Sequence, residues 1–223
     1  MKKTLIVQAP AKINVALWVK EKRADGYHEL ESIMQSISLS DTLTIQEVRE
    51  DGLFIECNHP AVPTGPDNLV HKAAMVLLER WSIPPHLQIR IEKKIPVAAG
   101  LGGGSSDAAA VLGGIARLYD KPLALPDLLE IAATIGSDVP FLLHGGLALA
   151  TGRGEKLTYA EPPRPPLVVV IANPKGVQVS TKWAYQNYQP GDNARKEERF
   201  KQVLQAYRRR DLDQIGVRSH RRH

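Results

Sequence analysis

The run Pro96-Val97-Ala98-Ala99-Gly100-Leu101-Gly102-Gly103-Gly104-Ser105-Ser106-Asp107-Ala108 is the part of this chain best suited to hold an anion. A strand pattern leads into it and an Ala-rich helical pattern leads out. Glycines let backbone N–H groups come close to a ligand, and a helix N-terminus adds partial positive charge. Ser105 and Ser106 can cap the helix or bind phosphate oxygens, and a nest of successive amides suits a nucleoside triphosphate. The run is not a Walker A loop, because no Gly-Lys-Ser/Thr follows. Nor is it a dinucleotide fingerprint, because Ser105 stands where the last glycine belongs. A flexible connector with a Ser cap is the alternative for a bare glycine run. The flanking strand and helix and the Gly-Gly-Gly-Ser-Ser junction count against it.

Two charged residues lie among apolar neighbours. Asp138 sits in Gly136-Ser137-Asp138-Val139-Pro140-Phe141. A carboxylate there can take the proton of a hydroxyl that attacks a γ-phosphate. A turn-forming or capping Asp is the commoner fate of Asp before Val-Pro, and residue chemistry alone favours that role. Lys12 lies in an apolar strand pattern, where a lysine is usually an edge charge or a snorkelling side chain. Its catalytic alternative is a fixed ammonium that stabilises developing phosphoryl and alkoxide charge and keeps a nearby carboxylate ionised. Asn14 falls on the same face of that strand and can hydrogen-bond a polyol. In Tyr27-His28 the ring can stack on a nucleobase while the imidazole reads its edge; a half-buried loop aromatic is the ordinary alternative. Of the other histidines, His59, His71, His86 and His144 lack zinc-ligand spacing, and no metal site of the protein's own is expected.

The elements that must position these residues read as α+β. Residues 5–7 and 13–19 read as strands separated at Ala9-Pro10-Ala11. Residues 33–39 alternate as a half-buried strand, Asp41-Thr42 reads as a turn, and residues 43–45 and 54–57 as further strands of an antiparallel meander. Helical spacing covers 68–81, capped by Asp67 or Asn68. A strand at 87–91 feeds the glycine run, and helices follow at 107–119 and 126–135. Residues 141–149 read as a strand, 167–172 as a buried strand, and 180–185 and 197–207 as helices. The linker candidate is Glu161-Pro162-Pro163-Arg164-Pro165-Pro166. It divides the chain into an expected first domain, 1–160, and a second, 161–223.

Composition bounds the function. With 223 residues, 43% hydrophobic and 24% charged, the chain has a globular balance rather than that of a disordered segment. No apolar run approaches the roughly 20 residues of a membrane helix. The first eight residues lack a signal-peptide cleavage pattern, and Cys57 is the lone cysteine, so a cytoplasmic protein without a membrane partner is expected. The net charge is +5, but residues 208–223 hold six Arg and two Asp and so account for +4 of it. The basic balance belongs to the tail, and no nucleic-acid partner is expected.

Residues 96–110 resemble the second signature of the GHMP kinases, and Ala9-Pro10-Ala11-Lys12-Ile13-Asn14-Val15-Ala16-Leu17 is similar to that family's N-terminal signature. Arg23-Ala24-Asp25-Gly26-Tyr27-His28-Glu29-Leu30, followed by Ser32-Ile33-Met34-Gln35, resembles the block found in members that act on a cytidine diphosphate polyol. The resemblance implies a ribosomal-protein-S5-like N-terminal domain and an incomplete ferredoxin-like C-terminal one. It implies ATP with Mg²⁺ as cofactor and transfer of phosphate to the 2-hydroxyl of cytidine diphosphate methylerythritol, a small-molecule substrate of isoprenoid synthesis. It places Lys12 and Asp138 as the catalytic pair. Around ATP it places Pro96, Ala98, Ala99, Gly100, Leu101, Gly102, Gly103, Gly104, Ser105 and Ser106, with Asn68 and Lys93 at the adenosine. As bare residues those last two read as a helix cap and a solvated lysine. Asn14, Tyr27, His28 and Tyr185 fall to the acceptor substrate. The family's third signature, a second glycine-rich loop, has no counterpart after residue 160, and the last seven residues do not resemble the family. Two functions therefore stand open, an active kinase and a nucleotide-binding fragment without turnover. An incomplete second domain is expected to expose a sheet edge and an apolar face.

Overall fold

The computed structural model describes residues 3–26, 28–121, 123–163, 166–172, 187–188, 193–211 and 213–215. Tyr27, Tyr185 and the helix expected at 180–185 lie outside them. By packing, the chain forms two compact units, each discontinuous in sequence. One comprises Met1–Lys12 with Ser36–Gly145, the other Ile13–Gln35 with Gly146–His223. A single cut near residue 160 does not separate them. Two long strands, β1 (Thr4–Lys22) and β2 (His28–Glu47), pair with each other and contribute to both units.

In the first unit, β2 runs antiparallel to β4 (His86–Glu92), from Thr42 opposite Glu92 to Glu47 opposite Leu87. β3 (Gly52–Cys57) lies parallel to β4, not antiparallel as a meander requires. The twelve-residue helix α1 (Leu69–Arg80) makes the crossover that parallel pairing demands. Four further corrections concern the site. β1 runs unbroken through Pro10, because β1 pairs only with β2 among the described strands and a proline fits an unladdered edge. Asp41 lies within β2 and is fully buried rather than in a turn. Helix α2 (Gly103–Leu118) starts four residues earlier than its Ala-rich pattern suggests, so the glycines and serines form its first turn. Residues 139–144 are not strand: Val139–His144 forms the short helix α4, after α3 (Leu125–Ile135). Gly145 and Gly146 follow in left-handed conformations, at φ 75° and 78°. The core packs Leu43, Ile45, Leu87, Ile89 and Ile91 of the strands with Leu77, Leu112, Ile115 and Phe141 of the helices, all essentially inaccessible.

In the second unit, β5 (Leu147–Gly152) pairs antiparallel with residues 30–35 of β2 and with β6 (Lys156–Ala160). Helix α5 (Asn193–Arg209) brings Phe200, Val203 and Tyr207 against Trp18, Ile33 and Leu147. Tyr207 also donates its hydroxyl to Gln35 Oε1 at 3.0 Å, and burial raises its pKa. The strand expected at 167–172 is not formed: Val168 is 95% and Val170 88% exposed. An apolar run makes a strand only where a neighbouring ladder takes its backbone groups.

Candidate nucleotide and catalytic site

Within the first unit, β1 delivers Lys12 directly against the glycine-rich loop. The backbone N–H of Lys12 donates to Leu101 O at 3.0 Å. The aliphatic stem of Lys12 lies on Gly102, where a Cβ would come 3.0 Å from Lys12 Cγ and 3.1 Å from Leu142 Cδ1. Gly102 has φ 70° and is the N-cap of α2. Two demands thus meet at that residue, a left-handed backbone and no side chain. The lysine side chain is 6% exposed, and its Nζ stands 3.3 Å from Asp138 Oδ2.

Asp138 precedes α4 and makes no capping hydrogen bond with its side chain. Pro140 in the first turn fixes the helix start and supplies no N–H to cap. The carboxylate is therefore turned to Lys12, with 31% of the side chain open to solvent. A buried ammonium beside a half-open carboxylate suits proton abstraction from an incoming hydroxyl, because the carboxylate is within reach of the acceptor and the ammonium lies beside the developing charge.

The loop has open space where a ligand needs it. Ala98, Gly100 and Gly102 have φ of 58°, 73° and 70°. A Cβ placed on Gly100 or Gly104 would meet nothing within 4 Å. The serines divide. Ser106 is buried and donates its hydroxyl to Pro10 O at 2.7 Å, while Ser105 is half-buried. Neither caps α2, because Gly102 occupies that position. Ser106 ties the helix to β1 instead, just before Lys12.

Asn68 caps α1: its Oδ1 accepts from Val70 N at 2.8 Å, and its Nδ2 donates to Pro63 O at 2.6 Å. Lys93 is not a solvated lysine. Its side chain is 5% exposed and its ammonium is paired with Asp41 and, at 2.7 Å, with Asp107 Oδ2. Neither carboxylate stands out in the sequence. The usable signal was an Asp inside a β-alternating run (Asp41) and another at the head of an Ala-rich buried helix (Asp107).

In the second unit, Asn14 Oδ1 accepts from the buried Ser32 hydroxyl at 3.1 Å. The Arg23–Glu29 block is held by charge. Arg23 Nη1 donates to Glu29 Oε2 at 2.6 Å, and Gly152 N to Glu29 Oε1 at 3.0 Å. The bond from Arg23 holds the Glu29 carboxyl below its ordinary range. His28 stands edge-on to Tyr188, ring centroids 6.2 Å apart, and the Tyr188 hydroxyl donates to Val19 O at 2.9 Å. Tyr188 has no place in the sequence motifs; only the fold brings it to His28.

Comparison with known proteins gives the family. Residues 68–146 match the family model described as GHMP kinases N terminal domain. A crystal structure of 4-(cytidine 5'-diphospho)-2C-methyl-D-erythritol kinase superposes with a TM-score of 0.68 at 36% identity, over 92% of this chain and 72% of that one. The chain belongs to the GHMP kinases. Among curated relatives of this GHMP kinase, 4-diphosphocytidyl-2-C-methyl-D-erythritol kinase of Bacillus licheniformis is 49% identical over 181 residues, 81% of this chain and 62% of the relative. The protein of the same description from Nostoc is 46% identical over 184 residues, 81% of this chain and 58% of the relative. The chain thus spans about three fifths of the length of these relatives. Homoserine kinase from Cytophaga hutchinsonii shares the fold, with a TM-score of 0.69 at 21% identity over 98% of this chain and 72% of that one.

Proposed function

We propose that this GHMP kinase transfers the γ-phosphoryl group of ATP to the 2-hydroxyl of 4-diphosphocytidyl-2-C-methyl-D-erythritol, in the methylerythritol phosphate route to isoprenoids. The observation that carries the reading is the Lys12–Asp138 pair, fixed at 3.3 Å against a glycine-rich loop with open backbone positions. Asp138 Oδ2 accepts the proton of the attacking hydroxyl. Lys12 Nζ lies beside that carboxylate and stabilises charge developing between acceptor oxygen and phosphorus. Loop residues Pro96, Ala98, Ala99, Gly100, Leu101, Gly102, Gly103, Gly104, Ser105 and Ser106 form the wall that receives the polyphosphate, and Asn68 stands at the adenosine.

Among the described residues no group of three or more His, Cys, Asp or Glu could hold a metal ion. The residues present fit Mg²⁺ that comes with the phosphates, and its chemistry is to neutralise phosphate charge during transfer. On the acceptor side, Tyr27, His28 and Tyr185 take the cytosine, and Asn14 hydrogen-bonds the polyol. The Arg23–Glu29 pair supports this assignment by holding the backbone on both sides of Tyr27 and His28. The partners are small molecules; no described helix is long and apolar enough to cross a membrane.

ADP release by the purified chain with Mg-ATP, with and without the cytidine substrate, tests the reading. Substrate-dependent turnover is expected, with Asp138→Asn lowering kcat by at least about 100-fold, the scale of general-base loss. ATP binding without turnover would make the chain a nucleotide-binding member without kinase activity. Turnover within a few-fold of wild type in Asp138→Asn would remove Asp138 from the mechanism.

A further inference from the structure

Three buried charges lie beneath the glycine-rich loop, and the proton-transfer pair does not use them. Asp41 on β2, Lys93 just beyond β4 and Asp107 in α2 have side chains 0%, 5% and 3% exposed. Buried charges persist only when paired and fully hydrogen-bonded, so their partners show what the cluster holds in place.

The partners of the two carboxyl groups flank the loop on both sides. Asp41 Oδ1 accepts from the backbone N–H of Lys94 at 2.5 Å and of Ile95 at 2.8 Å, the two residues that lead into Pro96. Its Oδ2 takes the Lys93 ammonium. The ammonium then reaches Asp107 Oδ2, on the helix by which the chain leaves the loop. Between them the ammonium lies under Gly103, where a Cβ would sit 3.1 Å from Nζ. The backbone N–H of Lys93 is held by Asn58 Oδ1 at 2.8 Å. One ammonium thus ties the entry of the loop to its exit. The two carboxyl groups raise the pKa of Lys93 in spite of its burial, so the ammonium stays charged across the neutral range. Asp107 Oδ1 is buried and makes no hydrogen bond, and the Asp107 carboxyl also lies within side-chain hydrogen-bonding reach of Asp41, so α2 meets the cluster through the ammonium and through Asp41.

We propose that Asp41 and Asp107, acting through Lys93, are positioning residues that hold the glycine-rich loop in its phosphate-receiving shape. The assignment rests on the nucleotide role given to the loop above, and it takes the Lys93 ammonium away from the adenosine. Its chemical content is a staple. The loop must present backbone N–H groups to a polyanion with left-handed residues at 98, 100 and 102, a conformation that no regular ladder enforces. Hydrogen bonds from one ammonium at both ends limit the alternatives, and preorganised donors bind an anion without first being ordered.

The test is hydrogen exchange by mass spectrometry on the full chain, with Mg-ATP affinity measured alongside. Asp107→Ala cuts the helix end of the staple. Asp107→Asn keeps an oxygen to accept from the ammonium and serves as the conservative rescue. Asp41→Asn is the second variant should Asp107→Ala fail to fold. Exchange in peptides covering 94–106 is expected to rise at least tenfold in Asp107→Ala and to return to within threefold of wild type in Asp107→Asn. Peptides of α1 and β4 should stay unchanged, and the Kd for Mg-ATP should rise at least fivefold. Faster exchange throughout the first unit, or an unchanged loop with a lowered melting temperature, would overturn the proposal and make the cluster a general support. If wild type binds no Mg-ATP the nucleotide reading fails, while the exchange comparison still decides the staple.

Discussion

At the scale of single residues, two glycines of the loop separate what the fold needs from what a ligand needs. Gly102 has φ 70°, and a Cβ there would press on Lys12 and Leu142 at about 3 Å. Gly102→Ala should cost about 1–2 kcal/mol through the left-handed backbone alone. It should also displace Lys12, lowering kcat more than it raises the KM for ATP. Gly104 is helical, exposed and open, with nothing within 4 Å of a Cβ. Gly104→Ala should therefore raise stability by up to about 1 kcal/mol, the helix preference of Ala over Gly. If the phosphates use that open space, the same change raises the KM for ATP. Urea unfolding and steady-state kinetics on the two variants check both, and an unaltered KM in Gly104→Ala would move the phosphates elsewhere. The loop was legible in the sequence as a glycine-rich turn between a strand and a helix. The division of labour among its residues was not. Which glycine faces Lys12, and that Ser106 binds Pro10, depends on β1 passing beside α2, a contact between residues about a hundred apart in the chain.

At the scale of elements, helix α2 sets the spacing between the loop and the sheet. It presents Gly114 to β2, where a Cβ would stand 2.5 Å from Cδ1 of the fully buried Ile45. Gly114→Ala should destabilise by about 1–3 kcal/mol, because Ile45 has no room to yield. Its neighbour Gly113 meets nothing within 4 Å, so Gly113→Ala should be neutral or stabilising by up to about 1 kcal/mol. Thermal melts of the pair test whether α2 packs by backbone approach; equal effects would refute it. Periodicity located α1, β4 and α3 closely, since each has an apolar face long enough to show its period, and it found α2 and α5 while placing the start of each too late. It failed where tertiary contact decides. The Asp41-Thr42 pair reads as a turn by composition, yet Asp41 stays in strand because Lys93 and two backbone amides satisfy its carboxylate. Residues 167–172 read as a buried strand, yet without a partner ladder they stay irregular and exposed. α4 is six residues long, too short for a helical period to stand out against the strand that follows.

At the scale of the whole molecule, the buried charge cluster gives stability a pH dependence whose sign can be worked out. Burial pushes the Asp107 carboxyl up from an ordinary 3.8 to about 7, and Lys93 only partly offsets this. Between those two values the native state holds a proton that the unfolded state has released. Stability therefore falls as pH rises from about 4 to about 7, and Asp107 adds no further slope above that. Other shifted groups act outside this window. Arg23 lowers Glu29, so that contribution is lost only as pH falls below the carboxylate range. Burial raises Tyr119, Tyr159 and Tyr207, whose contributions change only above about pH 10. Lys93, raised by its two carboxylates, likewise changes only in alkali. Wild type and an Asp107 variant share every other side chain, so the difference between the two isolates Asp107. Urea midpoints at pH 5 and pH 8 should show wild type losing more stability over the interval than Asp107→Asn, whose amide carries no charge at either pH. Equal losses would mean that Asp107 is ionised throughout and that both carboxylates face Lys93 as anions. The staple would then carry a net negative charge directly under a loop meant for phosphates, and ATP affinity should weaken with added salt far less than an open cationic site would.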